Sequence, residues 1–133
     1  MLFRSVEAER VLFSPGSPVV TDAEVKDVRV LASTMRWLSD SVAAIGASLR
    51  VDLVGRTDPT GTDATNQSLA QLRVDAVMQR LLALGVPSAI LNGRPLATTQ
   101  PLQAADADEM ARINRSVSFE AAVTNGSRAP REP

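Results

Sequence analysis

Hydrophobic and polar residues follow two different periods along this chain, and the two periods predict the order of its helices and strands. Apolar residues recur every three or four positions within residues 25–45 and 70–84, which is the spacing of amphipathic helices. Acidic residues within 106–109 favour a third, short helix. Shorter apolar or alternating segments predict four strands, and these lie near residues 11–13, 49–54, 89–93 and 117–123.

The order strand–helix–strand–helix–strand–short helix–strand predicts an α+β fold, that is, a two-layer α/β arrangement. We expect one mixed four-stranded sheet with the two long helices packed on one face. Residues 1–8 are interpreted as a lead-in and residues 9–123 as the domain. Residues 124–133 contain little apolar surface to bury, so we expect a disordered tail there.

Local signals at the helix ends sharpen these predictions. Thr21 is predicted to be the N-cap of the first long helix, with Glu24 completing a capping box. Asp63 is predicted to cap the second long helix, whose helical pattern begins near Asn66. Trp37 lies beside the apolar stripe of the first helix and is expected to pack in the core.

Composition excludes several classes of function. The formal net charge is −1 and aromatic residues make up 3% of the 133 residues, which disfavours a nucleic-acid partner. The chain contains no Cys and no His. Disulfides, thiolate or imidazole metal ligands and the commonest general base are therefore excluded, and we predict no metal, no cofactor and no enzymatic activity. No apolar run approaches a membrane span, so membrane association is expected only through segments outside this chain.

The residues best suited to binding lie between Gly55 and Arg73, where a strand runs through a turn-rich loop into a helix. Asp58 lies in this loop, and Arg73 lies on the helix that follows. A carboxylate and a guanidinium together suit a ligand that carries both an ammonium and a carboxylate group. The alternative is a turn aspartate and a solvated helix arginine. A hydrolase that uses Asp58 and Asp63 is disfavoured, because neither a general base nor a metal cluster accompanies them.

Ordered motifs run through the chain with consistent spacing. They are Phe13 before a polar loop, G-R-T-D-P-T-G at 55–61, N-Q-S-L-A-Q-L-R-V-D-A-V at 66–77, G-V-P at 85–87 and N-R-S-V at 114–117. With these motifs the chain resembles the OmpA-like domain, also called the OmpA/MotB C-terminal domain, which anchors envelope proteins to peptidoglycan. The resemblance extends over about residues 9–123.

The resemblance implies a site for the diaminopimelate of the peptidoglycan stem peptide. Asp58 would take its ammonium and Arg73 its carboxylate. Further residues of the implied site lie on the same helix and on the two loops that close it; they are Thr57, Asn66, Leu69, Ser14 and Gly16. The implied function is non-catalytic anchoring in the periplasm or outer-membrane envelope, as part of a longer membrane-associated protein. The alternative is a domain that has lost wall binding and serves as a protein–protein assembly module.

Several positions depart from the family pattern. Arg56 stands where His or Tyr is usual, and we expect it to be a solvated charge. Ser14 and Gly16 occupy loop positions where related domains often carry Asp or Asn. Ser116 replaces a second Arg, while the preceding Asn114 and Arg115 are expected to tie the last strand to neighbouring backbone. The alternative for Arg115 is that it lends positive charge to the pocket.

Overall fold

The computed structural model describes residues 2–124 and contains one mixed four-stranded sheet. Its strands, in the spatial order β1-β4-β2-β3, are β1 (Arg10–Leu12), β4 (Ser116–Thr124), β2 (Ser48–Arg56) and β3 (Leu91–Ala97). Strand β2 runs parallel to β3 and antiparallel to β4, and β4 also runs antiparallel to β1. The predicted mixed sheet is confirmed.

Four α-helices accompany the sheet: α1 (Leu2–Ala8), α2 (Asp22–Ala43), α3 (Asp63–Ala83) and α4 (Ala107–Ile113), with a short 3-10 turn at Ser88–Ile90. The apolar stripes predicted for the two long helices face the sheet. On α2 the buried members are Val28, Leu31, Met35 and Leu38, and on α3 they are Ala70, Val74, Val77 and Leu81. These side chains form one core with the inward residues of the sheet, including Val51, Leu53, Val117 and Phe119.

Two glycines bring α3 close to the centre of the sheet. A Cβ on Gly55 would lie 2.6 Å from a methyl carbon of Val74 and 2.7 Å from the carbonyl oxygen of Ala70. A Cβ on Gly93 would lie 2.9 Å from the other methyl of Val74. Both contacts are too short for a real side chain, so the glycines are required by packing. The close approach places the first half of α3 beside the loop that follows β2.

Helix α1 was not predicted, because the segment interpreted as a lead-in is too short to show a helical period. Its Val6 is fully buried in the core. The carboxylate of Glu7 accepts a hydrogen bond of 3.1 Å from the backbone N–H of Ala121. Since β1 pairs with β4 only as far as Ser118, α1 covers part of the edge of β4 that β1 leaves open.

Some local predictions were wrong. The N-cap of α2 is Thr21, as predicted, but the predicted capping box is wrong because the Thr21 side chain makes no capping hydrogen bond. The cap of α3 is Thr62 rather than Asp63, and its hydroxyl accepts from the backbone N–H of Thr65 at 3.1 Å. Trp37 is 58% exposed, because it lies off the buried face of α2.

The ends of other predicted elements also differ. The strand predicted near residues 89–93 is β3, which runs over Leu91–Ala97. Ile45 was counted with the apolar stripe of α2, yet it lies beyond the helix end and is 73% exposed. Thr124 was counted with the tail, yet it closes β4. The rest of the predicted tail, residues 125–133, lies outside the described residues. Within residues 2–124, no helix combines the length and apolar character needed to cross a membrane.

Candidate functional site

Strand pairing brings three chain segments together at one end of the sheet. Leu12, the last residue of β1, and Arg56, the last residue of β2, both pair with Ser116 at the start of β4. The residues just beyond these positions therefore converge. They are Phe13 with the β1–α2 loop, Thr57 with the β2–α3 loop, and Arg115, which precedes β4.

A pocket of about 170 Å³ lies where the two loops meet α3. Asn66, Leu69 and Arg73 project into it from one face of α3, since they recur at three- and four-residue steps. Thr57 and Asp58 line it from the β2–α3 loop, and Gly16 lines it from the β1–α2 loop. The structure thus brings together these six residues suggested by the sequence. The seventh, Ser14, is exposed and does not line the pocket with its side chain.

Asp58 is held by two partners within the protein. Its Oδ1 accepts from the hydroxyl of Thr60 at 2.6 Å and from the backbone N–H of Thr60 at 3.3 Å, a local turn interaction typical of aspartate. Its Oδ2 accepts from Nη1 of Arg115 at 3.2 Å. Burial opposes ionisation of Asp58, but the hydrogen bonds from Thr60 and Arg115 outweigh burial and hold its pKa below the usual value. Asp58 is therefore an anion at neutral pH.

Arg73 is fully buried and lines the pocket, so it is not the solvated helix arginine of the alternative interpretation. Its guanidinium donates to three backbone carbonyls: Nε to Ser17 at 2.9 Å, Nη1 to Arg56 at 3.2 Å and Nη2 to Ser14 at 3.1 Å. Its central carbon lies 5.1 Å from the ring centroid of Phe13, within cation–π range.

The charge state of Arg73 follows from this environment. Burial lowers its pKa to about 10, and the negative charge of Asp58 partly offsets that effect. Arg73 thus remains a cation at neutral pH. A guanidinium has five N–H groups, and three of them are used here. The other two, one on each terminal nitrogen, make no hydrogen bond within residues 2–124.

The β1–α2 loop is shaped by a turn over Ser14–Ser17. The N–H of Ser17 donates to the carbonyl of Ser14 at 3.1 Å, and Gly16 has a φ of 69°. Pro15 followed by a glycine with positive φ is the pattern of a type II turn. Because the carbonyls of Ser14 and Ser17 both accept from Arg73, the turn conformation and the position of the guanidinium depend on each other.

Thr57 is buried, and its hydroxyl has no hydrogen-bond partner among the described residues. A buried hydroxyl without a partner costs free energy, so such groups often mark places where a ligand or water completes the site. Thr57 lies directly beside Asp58 and lines the same pocket.

Arg115 was expected to tie the last strand to neighbouring backbone, with a positive charge lent to the pocket as the alternative, and the structure contains both contacts. Besides binding Asp58, its Nε donates to the carbonyl of Phe13 at 3.3 Å. It therefore connects the two loops that frame the pocket. Only its place in the N-R-S-V motif could have indicated this role. Asn114, by contrast, is structural as expected. Its side chain exchanges two hydrogen bonds with the backbone of Leu102 and donates to the carbonyl of Met110.

Arg56 was expected to be solvated, and this is wrong. Successive residues of β2 face opposite sides of the sheet. Gly55 faces α3, so the next residue, Arg56, faces away from it. Its side chain is buried and donates to the carbonyl of Gln100 at 2.7 Å and to the hydroxyl of Ser118 at 2.8 Å. Burial lowers its pKa. Ser116 is also fully buried, and its hydroxyl has no partner within residues 2–124.

The fold and this site define a two-layer binding domain, and comparison with known proteins identifies the family. The OmpA family model matches residues 12–115, so the chain belongs to the OmpA family. A search of curated proteins found no match.

Solved structures share the fold. The peptidoglycan-associated lipoprotein of Burkholderia pseudomallei is 23% identical with a TM-score of 0.71, over 86% of this chain and 92% of that one. The C-terminal domain of Helicobacter pylori MotB is 18% identical with a TM-score of 0.73, over 92% and 90%. A putative MotB-like protein of Desulfovibrio vulgaris is 24% identical with a TM-score of 0.64, over 83% and 71%.

Proposed function

We propose that this chain is a non-catalytic peptidoglycan-binding module that holds the diaminopimelate of the stem peptide. The observation that carries the proposal is the pocket that Asp58 and Arg73 both line, because an anion and a cation meet there in one cavity of about 170 Å³. Family membership and the likeness to a peptidoglycan-associated lipoprotein support it. The module would act in the periplasm, as the anchoring part of a longer envelope protein.

The residues of the pocket match the free end of diaminopimelate group by group. Asp58 would accept from the ammonium, and the two unused N–H groups of Arg73 would donate to the carboxylate in a bidentate manner. The unpartnered hydroxyl of Thr57 and the amide of Asn66 would supply neutral hydrogen bonds. The ammonium would share Asp58 with Arg115, whose guanidinium already neutralises part of that charge.

A second candidate function is protein–protein assembly without wall binding. The feature that favours it is that both charged groups already have partners inside the protein. Asp58 is paired with Arg115, and Arg73 is held by three backbone carbonyls. A ligand must therefore compete with contacts that the protein makes by itself.

Asp58→Asn tests the proposal, because it removes the charge while keeping the shape. Loss of one partner of a desolvated ion pair costs about 2–5 kcal/mol, so binding of the tripeptide L-Ala–γ-D-Glu–meso-diaminopimelate should weaken at least about thirtyfold. Isothermal titration with the purified peptide measures this directly. The matched control is Asp63→Asn, an exposed aspartate that does not line the pocket, and its affinity should equal that of the wild type.

A peptide with L-Lys in place of diaminopimelate lacks the carboxylate that Arg73 would bind, and it should bind much more weakly than the tripeptide. Equal binding of the two peptides would refute the role of Arg73. If the wild type binds neither peptide nor purified sacculi, wall binding is absent and the assembly function is favoured. Unchanged affinity of Asp58→Asn would place the ligand elsewhere on the domain.

A further inference from the structure

A second cavity lies against the pocket and is much larger. It has a volume of about 570 Å³ and runs between α4 and the loops at one end of the sheet. We call it the apolar groove, and its apolar walls are Pro15, Pro59, Pro101, Ala107, Met110 and Ala111. Its volume falls within the roughly 300–1,000 Å³ typical of ligand sites. The site described above leaves most of this groove unused.

The groove and the pocket are continuous. Thr57, Asp58 and Thr60 line both cavities. A ligand whose charged end enters the pocket can therefore extend past these three residues into the groove. Thr57, with its buried and unpartnered hydroxyl, lies at the junction of the two cavities, where it can bond a peptide amide of that ligand.

The chemistry of the groove favours a ligand segment with small apolar side chains. Asp58 and Arg115 are the charged residues among those that line it, and they pair with each other at 3.2 Å. Three of its walls are proline, which has no backbone N–H to offer. A sugar needs many hydrogen-bonding partners, whereas alanine methyl groups need only apolar contact. The lining thus fits an alanine-bearing peptide better than a glycan chain.

We propose that the apolar groove binds the alanyl residues that follow diaminopimelate in the stem peptide. This proposal rests on the proposed function, since the pocket must first hold the diaminopimelate. It adds a preference: the domain distinguishes stems that keep their terminal alanines from stems that end at diaminopimelate.

The test compares the affinities of the wild type for the tripeptide that ends at meso-diaminopimelate and for the pentapeptide that continues with D-Ala-D-Ala. Burying two further methyl groups should tighten binding about tenfold. Ala107→Trp places a large ring on an exposed position of the groove wall. It should remove the advantage of the pentapeptide and leave the tripeptide affinity unchanged. Ala105→Trp is the control, because this exposed alanine is not part of the groove lining.

The outcomes separate the two proposals. Equal wild-type affinities for the two peptides, or a pentapeptide advantage that survives in Ala107→Trp, would overturn the groove proposal while leaving the pocket intact. Failure of the wild type to bind either peptide would refute the proposed function itself. Circular dichroism spectra of both tryptophan variants establish that the fold is retained before affinities are compared.

Discussion

At the scale of single residues, the site depends on charges that are stabilised before any ligand arrives. Burial alone would raise the pKa of Asp58, but the hydrogen bonds from Thr60 and Arg115 lower it and favour the ionised carboxylate. Arg73 is desolvated, but three carbonyls and the ring of Phe13 compensate its charge. An arginine in this position is preorganised, because its side chain has few conformations left to lose on binding.

The lowered pKa of Asp58 predicts a specific pH dependence. A carboxyl group with a depressed pKa in the folded state stabilises the fold above its unfolded pKa, and this stability is lost as pH falls through the folded value. In Arg115→Gln the pKa of Asp58 should rise toward its unfolded value, so Asp58 should contribute less stability at neutral pH and less stability should be lost on acidification. Carboxyl-carbon NMR titration measures the pKa, and urea unfolding at several pH values measures the stability.

Arg112→Gln is the matched control for this experiment. Arg112 lies three residues before Arg115 but is exposed and pairs with Glu109 instead of Asp58. Its replacement should leave the pKa of Asp58 unchanged. An unchanged Asp58 pKa in Arg115→Gln as well would show that the hydrogen bonds from Thr60 suffice.

At the scale of elements, the β1–α2 loop is the part of the site with the least regular structure. Its turn directs two carbonyls to Arg73, while Arg115 binds the carbonyl of Phe13 at its start. The loop is therefore fixed from both sides by arginine side chains. Its conformation should matter for binding more than the identity of its exposed side chains, including that of Ser14.

Gly16→Ala tests this dependence. Open space surrounds the position where a Cβ would stand, so the cost arises from the positive φ of 69°, which an L-residue adopts with a penalty of about 1–2 kcal/mol. We expect lower stability and weaker binding of the diaminopimelate tripeptide. Gly46→Ala is the matched control, because its φ of 80° and open surroundings are similar but it lies beyond the end of α2. It should lose similar stability and keep full affinity.

At the scale of the whole molecule, α2, α3 and the sheet share one core, and the site is built on its edge. Val74 connects the core with the site. It packs against Gly55 and Gly93 of the sheet, and it directly follows the pocket residue Arg73 in the sequence. The same helix thus supplies core contacts and pocket residues from adjacent positions. Rigid packing of α3 is the reason that Asn66, Leu69 and Arg73 can keep fixed positions.

Leu81→Ala should destabilise the domain by about 2–5 kcal/mol, because the Leu81 side chain of α3 is fully buried in the core. Leu72→Ala changes the same residue type on the same helix, but Leu72 is 52% exposed. Its effect should stay within about 0.5 kcal/mol. Denaturant unfolding of both variants gives the comparison, and similar losses would mean that α3 is not packed as described.

The sequence by itself determined the two long helices, the short helix, the four strands and most residues of the pocket. The stripe from Ala70 to Leu81 has the helical period, so its burial against the sheet follows from local pattern alone. The G-R-T-D and N-x-x-L motifs indicated Thr57, Asp58, Asn66 and Leu69 through the family resemblance, and all four line the pocket.

Only the tertiary structure decided which charges pair and which of the large polar and aromatic side chains are buried. Asp58 binds Arg115, which is 57 residues away along the chain, and the two meet because β4 pairs with β2. Arg56 is buried rather than solvated because a distant loop, at Gln100, supplies its acceptor. Trp37 is exposed because helix rotation on the sheet left it outside the core. Local pattern carries no information about contacts that depend on strand order and helix docking, and apart from the turn contact between Thr60 and Asp58 the charges of this site are held by such contacts.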